Sequence, residues 1–114
     1  MIKLKRVYEE EDTGDGVRYL VDRLWPRGIK KTSLRIDGWL KGAGPSSELR
    51  KWFSHVPERF EEFRSRCRRE LRGKRQLIDE LRERAADGRL TIVYAARDRE
   101  HNNAVVLAEL LRKG

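Results

Sequence analysis

The chain has 114 residues, of which 40% are charged, and its 27 lysines and arginines against 19 acids give a net charge of +8. This length suits one domain with its own core, and the basic excess favours anionic partners such as phosphorylated molecules, carboxylates and nucleic acids. No apolar run approaches the ~20 residues that cross a bilayer, and the N-terminus has no signal-peptide core, so we expect no membrane association and a cytoplasmic location.

The first quarter of the chain contains two predicted strands separated by an acidic loop. Residues 2–7 alternate apolar and basic side chains, which is typical of a short strand with one face inward. Residues 9–16 are acidic and glycine-rich, and they lack the order of a calcium loop, which favours an exposed turn over a cation site. Residues 18–24 predict the central strand, which should stop near Leu24 because Pro26 cannot donate to a ladder.

The remainder predicts four helices and a second core strand. Residues 28–44 form an irregular basic stretch, with a short strand or turn around Trp39. The helices follow from apolar spacing and end signals: one after a Ser46 cap, one from Pro57 to Gly73, one over residues 76–87, and one beginning near Asn102 or Asn103. Residues 90–95 predict the second core strand, between the last two helices.

Cys67 is the single cysteine, and it lies on the apolar stripe of the second predicted helix. One cysteine cannot form an internal disulfide, and no Cys/His cluster has zinc spacing. We therefore expect Cys67 to be a core residue rather than a nucleophile, and we expect no metal site.

The order of elements predicts the fold class. Strand, helices, strand and helix in succession imply right-handed crossovers. We expect an α/β fold, formed as one small domain over residues 1–114, with a largely parallel sheet of about three strands flanked by helices.

Parallel strands would place the ends near Leu24 and Ala95 at the same edge of the sheet, where ligands bind in open α/β folds. The arginines, the aromatic side chain and the free N–H groups at the start of the last helix suit a phosphate or carboxylate. The predicted ligand-binding residues are Arg23, Trp25, Arg27, Arg97, Asp98, Asn102 and Asn103. The alternative is structural: Asp22 and Arg23 pair to pin the turn, and Trp25 plugs the edge of the core.

Catalysis at this edge would depend on Asp22 and His101. His101 could transfer protons near neutral pH, with Asp22 or Asp98 orienting its ring, but no Ser or Cys nucleophile stands beside it. The alternative is that His101 is an exposed residue at the start of a helix. The chain has neither a glycine-rich nucleotide fingerprint nor a Walker lysine motif, so we expect no cofactor.

Three segments carry a family resemblance: residues 21–28 (VDRLWPRG), residues 45–53 (PSSELRKWF), and residues 91–98 (TIVYAARD) with 101–107 (HNNAVVL). Together they resemble the short, YeaO-like branch of the DUF488 family. The family is a domain of unknown function, so the resemblance implies an α/β fold rather than a reaction. Longer members carry Cys where Tyr94 stands and Cys-His-Arg where Asn102, Asn103 and Ala104 stand, so their thiol chemistry is not expected here.

Three functions follow as hypotheses. The first is binding of an anionic small molecule at the strand ends, with any catalysis undefined. The second is nucleic-acid binding by the basic surface, for which the segment from Arg64 to Arg75 is the candidate although it lacks interleaved aromatic residues. The third is an interaction surface around Trp39 and Trp52. The sequence does not give an oligomeric state.

Overall fold

The computed structural model describes residues 1–113. Within them, four strands form one sheet: β1 (Ile2–Arg6), β2 (Val17–Leu20), β3 (Gly38–Trp39) and β4 (Leu90–Tyr94). Four α-helices follow the order α1 (Ser47–Phe53), α2 (Phe60–Arg72), α3 (Arg75–Asp87) and α4 (Asn103–Arg112). The strand order is β1-β4-β2-β3 and every pairing is parallel, so the predicted α/β fold is confirmed, with one more strand than expected.

The two faces of the sheet are covered differently. Apolar side chains of α3 and α4, such as Leu81 and Leu107, pack with Ile92 on one face. The other face is covered by the irregular segment of residues 25–39, whose Leu34 is buried beside Leu20 and Val93. Helices α1 and α2 form a separate apolar cluster around Phe63, joined to α4 through Val106. No helix in the described part of the chain is long and apolar enough to span a membrane.

Strand β2 ends at Leu20, earlier than the expected end near Leu24, and Leu24 is 55% exposed rather than packed. The backbone N–H of Val21 still donates to the carbonyl of Val93 at 3.1 Å. At the next step the side chain of Asp22, instead of a backbone carbonyl, accepts the N–H of Ala95 at 2.9 Å. The carboxylate of Asp22 takes the place of the next backbone acceptor of β2, so the hydrogen bonds between β2 and β4 end here and the turn begins.

The loop before β2 is not fully exposed as expected, because Asp15 is only 1% exposed. Its carboxylate accepts hydrogen bonds from Lys3 at 3.1 Å, from Lys5 at 3.0 Å, and from buried Arg18. The backbone carbonyl of Asp15 also accepts from Thr91 Oγ1 at 2.6 Å. Sequence composition suggested a solvated turn, whereas the acid is the counter-ion of a buried arginine.

Candidate functional site

A cavity of about 610 Å³ lies where β2 and β4 end. Eight of the nine residues expected at the site line it, and they arrive on the turn after β2, the turn after β4 and the start of α4: Asp22, Arg23, Trp25, Arg27, Arg97, Asp98, Asn102 and Asn103. The parallel pairing of β2 with β4 brings these segments to one edge. His101 is not among the residues that line the cavity.

Asp22 is partly buried and held from two sides. One carboxylate oxygen accepts the Ala95 N–H at 2.9 Å, and the other accepts from Asn103 Nδ2 at 3.2 Å. Burial raises the pKa of Asp22, while these hydrogen bonds and the charge of His55 act in the opposite direction. Within residues 1–113, Asp22 forms no ion pair: it is a fixed hydrogen-bond acceptor in the cavity wall.

The start of α4 is organised by Asn102, which is 2% exposed. Its side-chain oxygen accepts the Val105 N–H at 2.9 Å, which is the N-cap contact, and its Nδ2 donates to the Asp98 carbonyl at 2.8 Å. Asn103 reaches back to the end of β2, where its Nδ2 lies 3.3 Å from the Val21 carbonyl. The positive end of the α4 dipole therefore faces the cavity.

The four arginines at the cavity divide into two groups. Arg23 is engaged: its Nε donates to the Pro45 carbonyl at 2.7 Å and its Nη2 to the Gly44 carbonyl at 3.3 Å, so it holds that loop rather than pairing with Asp22. Arg27 and Arg97 are exposed, and Arg50 is partly buried. Within the described chain, none of these three side chains forms a hydrogen bond or an ion pair, and Arg50 Nε is buried without a partner.

Apolar and aromatic side chains form much of the remaining wall, including Phe53, Phe63, Pro26 and Pro45. Trp25 is fixed by a hydrogen bond from its Nε1 to the Ile29 carbonyl at 2.7 Å and by an edge-to-face contact with Trp39 at 5.2 Å between ring centroids. The cavity thus combines free cations with a low-dielectric wall.

His101 sits beside the cavity rather than in it. Its Nδ1 lies 2.8 Å from Asp98 Oδ2, and its ring packs edge-to-face on Phe60 at 5.1 Å between centroids. Asp98 also accepts the backbone N–H groups of Glu100 and His101, and these contacts hold the pKa of Asp98 below its usual value. This arrangement orders the loop before α4 and does not bring His101 to Asp22.

Sequence reasoning missed Arg50 and His55, which also line the cavity. Arg50 follows Leu49 on α1 and lies next to the apolar stripe of that helix. It could have been predicted by considering that this side of α1 faces the ends of the strands. His55 lies in the turn after α1, where Ser54 and His55 both have positive φ, 46° and 57°. Neither residue is glycine, so no sequence signal announces this turn.

The basic surface outside the cavity is partly neutralised. Arg64 contacts Glu61 and Glu109, Arg66 pairs with Glu62, and Arg68 reaches Glu109. Three arginines at the end of α2 and the start of α3 are exposed and have no carboxylate partner within residues 1–113: Arg69, Arg72 and Arg75.

Trp39 and Trp52 do not form an exposed patch. Trp39 lies under Lys41 Nζ, 4.2 Å from its ring centroid, and Trp52 lies under Arg66, 4.5 Å away. Both indoles are partly buried. Each indole is thus shared between the protein interior and a covering cation.

Comparison with known proteins gives the family. Residues 1–114 match the sequence profile described as the inactive DUF488-N3 subclade. The chain belongs to this subclade. It is 46% identical over 110 residues to the uncharacterized protein Rv3073c of Mycobacterium tuberculosis, covering 96% of this chain and 92% of the relative. It is 45% identical over 111 residues to the uncharacterized protein YeaO of Escherichia coli, covering 97% and 96%. No solved structure matches significantly.

Tyr94 and Asn102, for which the family resemblance implied cysteine in longer members, have structural roles in this chain. Tyr94 is 2% exposed at the end of β4, where burial raises the pKa of its phenol. Asn102 caps α4. Among the described residues that line the cavity there is no Ser, Thr or Cys, so this wall supplies arginines, two carboxylates, amides and an imidazole but no hydroxyl or thiol nucleophile.

Proposed function

We propose that this protein binds a small anion, carrying a phosphate or carboxylate group, in the cavity at the ends of β2 and β4, and that it does so without catalysing a reaction. The observation that carries the proposal is the set of three arginines at the cavity, Arg27, Arg50 and Arg97, whose side chains have no partner among residues 1–113.

Unpaired arginines at a partly apolar cavity favour an anionic ligand for a physical reason. Hydrogen bonds from guanidinium to phosphate or carboxylate are charge-assisted and gain strength where apolar walls exclude water. Arg50 lines the same cavity, and its Nε has no hydrogen-bond acceptor among the described residues, so its charge is available to an anion. The N-terminus of α4 adds a favourable field for the same charge.

The non-catalytic part of the proposal has separate support. The matching profile is itself described as inactive. No hydroxyl or thiol nucleophile stands among the described lining residues, and His101 contacts Asp98 and Phe60 instead of facing Asp22. Binding therefore needs only groups that are in place, whereas acid–base catalysis by His101 would need a different position of its ring. A cytoplasmic location remains a prediction from the sequence.

The test is binding of inorganic phosphate and benzoate, measured by thermal shift and calorimetry. A ligand present at about a hundred times its dissociation constant adds roughly 2.7 kcal/mol to the free energy of unfolding. We expect the double variant R27A/R97A to weaken binding tenfold or more, because each lost charge-assisted hydrogen bond contributes about 1.5–3 kcal/mol. Its melting temperature without ligand should stay near that of the wild type, since both side chains are exposed and unpaired.

The matched control is R69A/R72A, which removes the same charge from α2, away from the cavity. Equal weakening by both double variants would mean that net charge, rather than the cavity, attracts the anion. Unchanged affinity in R27A/R97A and in R50A would contradict the proposal.

Nucleic-acid binding is the second candidate, and the observation that favours it is the exposed, unpaired group of Arg69, Arg72 and Arg75. These side chains could contact phosphates directly. The ion pairs of Arg64, Arg66 and Arg68 with acids reduce the charge available along the rest of α2.

A further inference from the structure

The cavity wall carries two carboxylates as well as arginines. Asp98 contacts His101, whereas Asp22 forms no ion pair within the described chain. Both oxygens of Asp22 already accept one hydrogen bond, from the Ala95 N–H and from Asn103 Nδ2, which fixes the group as an acceptor and sets its orientation. Each oxygen retains a second lone pair. The neighbouring Arg23 turns to the carbonyls of Gly44 and Pro45 instead.

Shielding a carboxylate from water costs free energy, and shielded carboxylates are therefore ordinarily paired with a cation. The protein could have paired Asp22 with one of the free arginines of the same cavity, yet no guanidinium lies within 4 Å of it in the described structure. The site thus holds charges of both signs that form no ion pair within residues 1–113, around the aromatic side chains Phe53 and Phe63.

We propose that the ligand carries both an anionic group and an N–H donor group, either an amine or an amidine-like edge, on a flat apolar body. The anionic group contacts the arginines, the donor group contacts Asp22, and the body packs against the aromatic wall. This inference rests on the proposed anion-binding function and specifies the chemical class of its ligand.

The experiment compares two pairs of probes in which a methyl group becomes an aminomethyl group, which is a cationic donor at neutral pH: 4-(aminomethyl)benzoate against 4-methylbenzoate, and 3-(aminomethyl)benzoate against 3-methylbenzoate. The two isomers cover two separations between amine and carboxylate. Dissociation constants for the full chain are measured by calorimetry at neutral pH. We expect at least one amine to bind about tenfold or more tightly than its methyl counterpart.

In the variant Asp22→Asn, the ratio of the amine affinity to the methyl affinity should fall to about one, because the carboxylate that contacts the donor group is lost. The wild-type comparison does not depend on that variant folding. Equal affinity of wild-type protein for amine and methyl probes, or binding of phosphate with rejection of both amines, would overturn the inference and leave the anion-binding function standing. Failure of phosphate and of all four benzoates would overturn both.

Discussion

At the scale of single residues, Asp15 is the charge whose loss the fold should tolerate least. It is buried, and its three cationic partners come from β1 and β2, with Arg18 itself 1% exposed. Burial acts to raise the pKa of Asp15, but the Asp12 N–H and the cations Lys5, Lys3 and Arg18 outweigh it and hold that pKa far below the usual value. The carboxylate is therefore ionised in the folded chain at acidities where the unfolded chain is protonated.

We expect Asp15→Asn to lower the free energy of unfolding by about 3 kcal/mol at pH 7, because it leaves buried Arg18 without a counter-ion. This estimate is at the low end for buried pairs because Lys3 is 40% exposed. Since the folded pKa lies below the unfolded value of about 3.9, the contribution of Asp15 is complete above about pH 5 and declines as the pH falls from there.

Urea unfolding at pH 7 and pH 3 measures the effect of Asp15→Asn. The difference between wild type and variant should shrink at pH 3. Glu10→Gln is the control, because Glu10 is an exposed acid of the same loop. A difference that persists unchanged at pH 3 would contradict the ion-cluster explanation.

Cys67 provides a second prediction at this scale. It is 3% exposed in the cluster between α1, α2 and α4, as its place on an apolar stripe predicted, and burial raises the pKa of its thiol to about 12. Because the thiolate is the reactive form, we expect native protein to react with a thiol reagent at pH 8 only as fast as it unfolds. Rapid stoichiometric labelling of native protein would contradict this assignment.

At the scale of elements, Gly16 joins the acidic loop to β2 in a backbone conformation with φ of 66°. A Cβ at this position would meet the carbonyl oxygen of Arg89 and lie 2.7 Å from the Arg89 Cβ. The close approach lets the Val17 N–H donate to the Arg89 carbonyl at 3.0 Å, which begins the pairing of β2 with β4.

Gly16→Ala should destabilise the protein by about 2–5 kcal/mol, combining the strain of an alanine at this positive φ with a backbone clash. Thermal unfolding measures this loss against Gly42→Ala, where an added Cβ meets nothing within 4 Å. Similar melting temperatures for the two variants would show that the close approach of residue 16 to Arg89 does not require a glycine.

Most elements were predictable from sequence because each carries a local signal. The helix starts at Ser46 and Asn102 follow from capping chemistry, and both side chains make the expected N-cap contacts. The two-residue strand β3 carries no periodicity and exists only because its partner β2 is beside it. The early end of β2 depends on the contact between Asp22 and Ala95, which are 73 residues apart and which no local pattern reveals.

The candidate site was predictable in location but not in detail. Parallel strand order alone brings the segments after Leu20 and Tyr94 together, and the residues of those segments do line the cavity. The sequence could not show which hydrogen bonds each side chain makes. Arg23 donates its hydrogen bonds to loop carbonyls, and Arg50 reaches the cavity from α1, a helix that sequence reasoning did not connect with the strand ends.

At the scale of the whole molecule, the net charge of +8 predicts salt-sensitive association with nucleic acid. If about six phosphates are contacted, affinity for a short duplex should fall by about a thousandfold between 50 mM and 200 mM salt. We expect the variant R69A/R72A/R75A to weaken this binding and R27A/R97A to affect it less. Fluorescence anisotropy across the salt series makes the comparison, and an affinity that does not change with salt would remove the nucleic-acid candidate.

The position of β4 in the sheet determines when the sheet can form during translation. Strand β4 lies between β1 and β2, yet it is the last of the four strands within residues 1–113, and Ile2 pairs with Leu90. A ribosome adding 5–20 residues per second needs about 4–18 s between these two residues. During that interval β1 and β2 have no neighbour to bridge them. The sheet therefore cannot close until β4 has been synthesised, and the cavity at the ends of β2 and β4 forms only after the start of α4 has followed it.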